Sequence, residues 1–472
     1  MWNKRYIKTE LMKITLQLFL YLMLFSTFFL AFSITNPALL NVSRTAATTM
    51  AAFVFVFSVF TVVYGGFEIG VKKKRTVIAG ISLATYFTDI TTYVLLQIMN
   101  VNPNNPDANA SLTLFGEDLL ILMAVLAGHY LLTHLIVTLA YRFFFKLNKP
   151  EKCLIITSSQ ELANHVLKKV EKHNLRYTIS EIVHYECADI KSTILEYGVV
   201  FLAGIPDTEE ARLESYCYKH NRAIFLMAEL EDVIISSSTQ NILDDTPFLF
   251  IKRMQPTLLQ AIGKRTIDIV ISTLGIIITS PIMLISAVLI HFSHHGSVFF
   301  RQNRATRDGK VFSIIKFRTM FENLKDESKP VSASEDDKRI TNLGKVLRKY
   351  RVDELPQLFN VLKGEMSIVG PRPEMIENVD KYTREVPEFR YRQHMKAGIT
   401  GLAQIEGKYN TSPKDKVILD LLYIENFSIP YDFKLMLRTI TIFFRRDSTE
   451  GFKEDATKEN KIKMRTEPRH NT

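Results

Sequence analysis

The chain has 472 residues, 47% hydrophobic and 23% charged, with a formal net charge of +10. That length exceeds what one core usually accommodates, and the mixture suits a membrane section joined to soluble domains better than either alone. Three cysteines, Cys153, Cys187 and Cys217, show no CxxC spacing, which argues against a disulfide framework or a structural zinc site and fits a reducing compartment.

Four apolar stretches, near 14–35, 46–66, 76–99 and 119–145, are each long enough to cross a bilayer, which takes roughly 20 residues at helical rise. The first follows Lys4, Arg5, Lys8 and Lys13 without an obvious cleavage site, so it reads as a transmembrane helix rather than a signal peptide. Lys72, Lys73, Lys74 and Arg75 separate the second and third stretches, and Arg142, Lys146, Lys149 and Lys152 follow the fourth. The stretch from Asn100 to Asp118 has no Lys or Arg, and the first loop has only Arg44. The positive-inside rule places the N-terminus, the second loop and everything after Lys146 in the cytoplasm. Glu68, Asp89, His129 and His134 lie within or beside these helices. Too few charges are buried there for a transport path, so snorkelling or bonding between helices is expected.

From about 150 the pattern alternates. Strand-like runs at Cys153–Thr157, Tyr177–Tyr185, Val199–Ala203 and Ala223–Met227 are separated by helical stretches at Glu161–His173 and Glu209–Asn221. This predicts a small α/β domain with a parallel sheet, Rossmann-like in outline. Its first strand-to-helix turn, Thr157-Ser-Ser-Gln160, lacks the glycines that bring a backbone against a pyrophosphate, so dinucleotide binding is not supported.

Ile267 to Phe292 is a fifth apolar run, interrupted at Ser280-Pro281. Basic residues flank it on both sides: Lys252, Arg253, Lys264 and Arg265 before it, Arg301, Arg304, Arg307 and Lys310 after it. Both flanks therefore look cytoplasmic. A break at Pro281 leaves arms of about 10–14 residues, roughly 15–21 Å each, too short to cross alone. Proline removes a backbone donor and Ser280 can satisfy the freed carbonyl. A re-entrant helix is predicted, entering and leaving on the cytoplasmic face.

The C-terminal part is dense in short polar clusters. A basic loop, Arg301-Gln-Asn-Arg-Ala-Thr-Arg-Asp-Gly-Lys310, precedes Lys316-Phe-Arg-Thr-Met320 and an acidic, solvated stretch from Glu322 to Asp337. Then come Arg351-Val-Asp-Glu-Leu-Pro-Gln-Leu358, Gly364-Glu-Met-Ser-Ile-Val-Gly-Pro-Arg-Pro373 and Gly398-Ile-Thr-Gly-Leu-Ala-Gln404. Beyond Asp447 the chain is charged and poor in large apolar residues, the composition of a disordered tail.

The KFRTM, DELPQL, GPRP and GxTGLAQ segments, in that order between about Lys264 and Arg445, resemble the bacterial sugar transferase family, the polyprenol-phosphate phosphoglycosyltransferases with a membrane-dipping catalytic domain. The layout is similar to its long form. The resemblance implies four domains: a four-helix transmembrane bundle at 1–148, the α/β domain at 149–260, a mostly α catalytic domain with a re-entrant helix at 261–446, and a disordered tail at 447–472. It further implies transfer of a hexose 1-phosphate, glucose or galactose, from a UDP-sugar to undecaprenyl phosphate with release of UMP. The site would face the cytoplasm at a bacterial inner membrane, in contact with its lipids.

In the family the adjacent Asp-Glu pair is catalytic, which maps to Asp353 and Glu354. A carboxylate can attack phosphorus and form an acyl phosphate, and two neighbouring carboxylates suit a Mg2+ ion shared with substrate phosphates. Arg351, Arg348 and Lys349 stand beside the pair. Arg372 between two prolines fits phosphate or carbonyl recognition, and Lys316 and Arg318 would hold the diphosphate or align the pair. Gln404 marks a tight loop near the site; Asp420, Tyr423 and Asp432 match family positions that could equally be structural. Arg304 and Lys310 are assigned to substrate phosphates on weaker grounds, because Thr306 stands where the family's loop has glycine. If that position has positive φ, threonine is strained there. A catalytically inactive membrane scaffold is the alternative, and it leaves the intact Asp-Glu pair unexplained. The scattered basic residues and the absence of a recognisable binding fold argue against nucleic acid. A homodimer is compatible with the membrane and middle domains.

Overall fold

The computed structural model describes residues 4–102, 104–106, 116–252, 255–293, 297–321, 339–407, 411–440 and 462–467. It divides into two compact units, Met1–Met227 with Lys458–Thr472, and Ala228–Thr457. The acidic stretch from Glu322 to Asp337 and most of the charged tail lie outside the described residues.

The first unit opens with four long apolar helices, α1 (Lys4–Phe32), α2 (Arg44–Tyr64), α3 (Lys74–Val101) and α4 (Glu117–Leu147), each long and apolar enough to cross a membrane. Their buried polar groups bond from helix to helix. His129 on α4 pairs through Nδ1 with Asp89 on α3 at 2.8 Å and through Nε2 with Thr27 on α1 at 2.8 Å. Gln97 of α3 donates to Asp118 of α4 at 2.6 Å. In an apolar medium such bonds tie helices together because the alternative is an unsatisfied polar group.

The α/β part of this unit has four parallel strands, β1 (Glu151–Thr157), β2 (Tyr177–His184), β3 (Val199–Ala203) and β4 (Ala223–Leu226), in the order β2-β1-β3-β4. Strand β1 is central, and its run Cys153–Thr157 is buried on both faces, as expected for a parallel sheet covered by helices. The helices are α5 (Gln160–Val170), α6 (Ile190–Glu196) and α7 (Asp207–Lys219). All three cysteines are buried and free.

Two boundaries differ from the sequence reading. Helix α8 (Leu230–Ser236), placed by sequence in the middle domain, belongs to the second unit because Leu230 and Val233 join that unit's hydrophobic core. Residues 462–467, expected to be disordered, are ordered against the α/β sheet: Arg465 N–H donates to Ile182 O at 2.8 Å, and His184 N–H donates to Arg465 O at 2.9 Å. Composition favours disorder when little apolar surface can be buried, but Ile462 and Met464 do pack on the core.

After α8 the second unit has a hairpin of β5 (Thr239–Leu243) and β6 (Thr246–Phe250), then helix α9 (Leu258–Ser293). The expected break at Ser280-Pro281 does not interrupt the helix: α9 runs through Pro281, because Ser280 Oγ donates to Ile277 O at 2.8 Å. That carbonyl is the one the proline leaves without its amide partner. Asp268, Ser272, Met283, Ser286 and Ile290 are buried on one side, while Ile277, Ile278, Ile282, Leu284 and Ile285 are exposed. A second hairpin follows, β7 (Phe299–Ala305) and β8 (Val311–Phe317). Helices α10 (Asn342–Lys349) and α11 (Gln357–Lys363) flank a short 3-10 turn at Val352–Glu354. Strand β9 (Ser367–Val369) pairs in parallel with β10 (Gly398–Thr400), with α12 (Ile376–Glu385) between them in sequence. Helices α13 (Leu402–Glu406), α14 (Pro413–Glu425) and α15 (Ile429–Thr439) complete the core.

Candidate active site

Asp353 and Glu354 sit on the 3-10 turn that Arg351 introduces in a left-handed conformation, φ 54° and ψ 23°. A non-glycine residue there costs roughly 1–2 kcal/mol, and such strain collects where geometry matters for function. Val352 and Leu355 anchor the turn in a cluster with Phe317, Leu347, Met283 and Ile290. Beneath it, fully buried Asn360 of α11 bridges to β8: its Nδ2 donates to Ser313 O at 2.8 Å, and its Oδ1 accepts from Ile315 N at 3.0 Å. Helix α11, β8 and the acidic turn are thus one block.

The cations converge on Glu354. Lys316 Nζ lies 2.7 Å from Glu354 Oε1, and Arg372 Nη2 reaches the same oxygen at 3.4 Å. Burial alone would raise the Glu354 carboxyl, yet Lys316, Arg372 and Arg351 hold it well below the usual carboxylate range. Asp353 moves oppositely. Burial and the neighbouring Glu354 charge push its carboxyl up to about 6, against the pull of Lys316 and Arg348. Two adjacent carboxylates therefore have different proton affinities, the usual mark of divided roles.

Arg372 is presented by its surroundings. Pro371 and Pro373 are buried while Arg372 is exposed. Its carbonyl accepts from Arg392 Nη2 at 2.8 Å, and Arg392 is itself buried against Asp420 at 2.7 Å. A Cβ on Gly370 would collide with the Lys396 carbonyl and one on Gly398 with the Gly370 backbone, so glycine is needed for this close approach. Lys264 at the start of α9 reaches Val369 O at 2.9 Å and Asp432 at 2.5 Å, and Tyr423 donates to Asp432 at 2.8 Å. Asp268 accepts from Ser367 Oγ and Ile368 N, both at 2.9 Å. The helix and the strand leading to Arg372 are thereby clamped.

A cleft is lined by Arg304, Lys316, Glu354, Gln357, Arg372 and Pro373 among others. Arg304 lies on β7, its Nη2 donating to Gln302 at 2.8 Å and its Nη1 to Pro373 O at 3.4 Å. Its Nε is buried with no partner among the described residues. Four expected site residues, Glu354, Lys316, Arg372 and Arg304, are therefore together, with Asp353 beside Glu354. Arg318, Lys310 and Gln404 do not line this cleft. Lys310 is exposed, and Gln404 bonds Ile399 O at 2.8 Å. Arg351 acts through its charge on Glu354.

Thr306 carries none of the expected strain: its φ is −128°, and Asp308 (φ 57°) and Gly309 (φ 74°) take the left-handed positions instead. Its hydroxyl donates to Glu365 O at 3.2 Å and accepts from Ala397 N at 3.1 Å, pinning the basic loop. Arg392, Asn360, Lys264 and Asp268 were missed by the sequence reading as supports of the site. Their partners lie as far as 168 residues away, and no local pattern marks such pairs.

The bacterial sugar transferase family profile matches residues 259–446. The exopolysaccharide production protein ExoY of Sinorhizobium fredii is 39% identical over 193 residues, covering 84% of that protein and 38% of this chain. The chain belongs to the bacterial sugar transferase family. Among other relatives of this sugar transferase, the UDP-N-acetylgalactosamine-undecaprenyl-phosphate N-acetylgalactosaminephosphotransferase of Aeromonas hydrophila is 43% identical over 188 residues, 39% of this chain and 44% of that one. The UDP-glucose:undecaprenyl-phosphate glucose-1-phosphate transferase of Klebsiella pneumoniae is 41% identical over 182 residues, 38% of this chain and 39% of that one. The match thus spans less than half the length of these two curated relatives. The matched segment of the sugar transferase contains every residue of the cleft.

Proposed function

We propose that the chain transfers a hexose 1-phosphate from a UDP-sugar to undecaprenyl phosphate at the cytoplasmic face of a bacterial inner membrane, releasing UMP and starting an exopolysaccharide, capsule or O-antigen chain. One observation carries this reading: Glu354 is held ionised by Lys316 and Arg372, while Asp353 beside it is lifted to about 6. A carboxylate near that value is ionised at neutral pH and more basic than an ordinary aspartate, which suits a nucleophile.

In the first step an Asp353 oxygen bonds to the sugar-bearing phosphorus. The bond from that phosphorus to the bridging oxygen breaks, and UMP leaves with the electron pair. In the second step an oxygen of polyprenyl phosphate attacks the same phosphorus, the acyl phosphate bond breaks, and Asp353 is regenerated. Arg372 and Arg304 face the cleft and offset the diphosphate charge. Lys316 keeps Glu354 in place, and Glu354 keeps Asp353 basic. Among the described residues no group of three or more His, Cys, Asp or Glu could hold a metal unaided. Asp353 and Glu354 fit the small protein share that Mg2+ commonly takes alongside substrate phosphates. When bound, such an ion supplies charge neutralisation at the diphosphate.

The lipid acceptor requires a site at headgroup depth. Ile276 lies before Pro281 and Met283, Ala287 and Ile290 after it, yet all belong with Phe317, Leu347, Val352 and Leu355 in one cluster. Packing of α9 on the layer that carries the acidic turn both before and after Pro281, together with basic flanks at both ends, supports a helix that enters and leaves on one face. The proposal is tested by adding donor without lipid acceptor. The expected result is one UMP per protein, with a hexose phosphate found by mass spectrometry on the peptide containing Asp353. UMP that appears only when polyprenyl phosphate is present, with unmodified protein, would mean a direct displacement.

A further inference from the structure

The α/β domain has no phosphate-binding glycines, yet it holds a ligand-like segment: the chain's own C-terminal residues 462–467. Strand β2 is the edge of the sheet, with backbone groups open to pairing. The tail fills that edge in parallel, bridging Val183 to Arg465. Gln160 at the start of α5 grips it from above, its Oε1 accepting from Met464 N at 2.7 Å and its Nε2 donating to Ile462 O at 3.5 Å.

The side chains divide by face as an extended strand requires. Ile462 and Met464, two residues apart, pack against the cluster containing Ile155, Leu167 and Ile182. Arg465 turns the other way into an acidic notch. Its Nε donates to Glu181 at 2.7 Å, its Nη1 to both Asp189 oxygens at 2.8 and 2.9 Å, and its Nη2 to Thr193 at 3.0 Å. A planar guanidinium satisfied by two carboxylates is a recognition geometry that lysine could not reproduce. Residues 440–461 separate the segment from α15. They can span up to roughly 75 Å, so chain connectivity does not force the contact.

We propose that the β2 edge of the α/β domain is a peptide-binding site that reads an apolar-x-apolar-Arg strand, and that its ligand is the chain's own segment Ile462–Glu467. Recognition uses strand addition for affinity and the Glu181–Asp189 notch for specificity. The middle domain is thereby a peptide-binding module that fastens the end of the chain, independently of whether Asp353 is the nucleophile.

Hydrogen exchange on the full chain in lipid nanodiscs tests this, with the amides of Arg465 and His184 as reporters. Both are expected to be protected in the wild type. Arg465→Ala and Asp189→Asn are expected to speed their exchange by about 10- to 100-fold, the size of a lost charge-assisted bond. The amides of Leu154 and Ile156 should stay slow, which shows that the domain remains folded. Adding a free peptide of residues 458–472 at millimolar concentration to the Arg465→Ala chain should restore protection at His184, and the same peptide carrying Arg465→Ala should not. Wild-type tail amides exchanging as fast as a free peptide, unchanged protection in Arg465→Ala, or both peptides behaving alike would overturn the proposal.

Discussion

Glu354 pairs with Lys316 and Arg372, and the charge it keeps helps lift Asp353 to about 6. The sign of the pH dependence follows. As the proposed nucleophile, Asp353 would attack only when ionised, so activity should be full well above pH 6 and fall as pH drops through about 6, higher than for an ordinary aspartate. In Glu354→Gln the repelling charge is gone, so the Asp353 pKa falls and the acid limb of the residual activity should move to lower pH. A pH profile of kcat/KM for UMP release in both proteins checks this; an acid limb that stays put would contradict the coupling. The pair was legible in sequence because its neighbours form a dense ordered pattern. Its division of labour was not, since Lys316 and Arg372 come from elements 38 and 18 residues away. Thr306 is instructive in the other direction: reading it as strained assumed a backbone conformation that Asp308 and Gly309 adopt instead.

At the scale of elements, the acidic turn and the Arg372 loop are held by buried ion pairs. Arg392 and Asp420 are 5% and 1% exposed, and burial raises the Asp420 carboxyl despite its cation. Arg392→Met would strand that carboxylate and release the Arg372 carbonyl. A loss of about 3–5 kcal/mol of stability is expected, read as a lower midpoint in thermal unfolding, whereas the exposed Arg390→Met should change little. For α9, a single cysteine at exposed Ser293 should be labelled by an impermeant reagent from the cytoplasmic side. Labelling from the opposite side only would contradict a re-entrant helix. The apolar run and its Ser280-Pro281 interruption could be read from sequence because composition and charge are local. The stripe of α9 that faces the protein could not, because Asp268 and Ser272 find their place only through tertiary packing.

At the scale of the molecule, Ala228–Thr457 is a compact unit with its own core, and ExoY is a protein most of whose length matches this segment. The isolated segment 228–457, kept in detergent or nanodiscs, is therefore expected to retain transfer activity within about tenfold of the full chain. Complete loss in a folded segment would mean that the first unit contributes to the chemistry. The four apolar spans and the parallel sheet were legible in sequence through hydropathy and alternation. Short α6 and the ordered segment 462–467 were not, because one is brief and the other draws its order from backbone pairing with β2. The central claim, transfer of a sugar phosphate through Asp353, is tested most directly by nucleotide release. Full-length protein in nanodiscs with undecaprenyl phosphate and Mg2+ would be given UDP-glucose, UDP-galactose or UDP-N-acetylgalactosamine, with Asp353→Asn in parallel. The expected result is UMP from one of these donors and a loss of about 10⁴-fold or more in the variant. UDP in place of UMP, or undiminished UMP from Asp353→Asn, would contradict it.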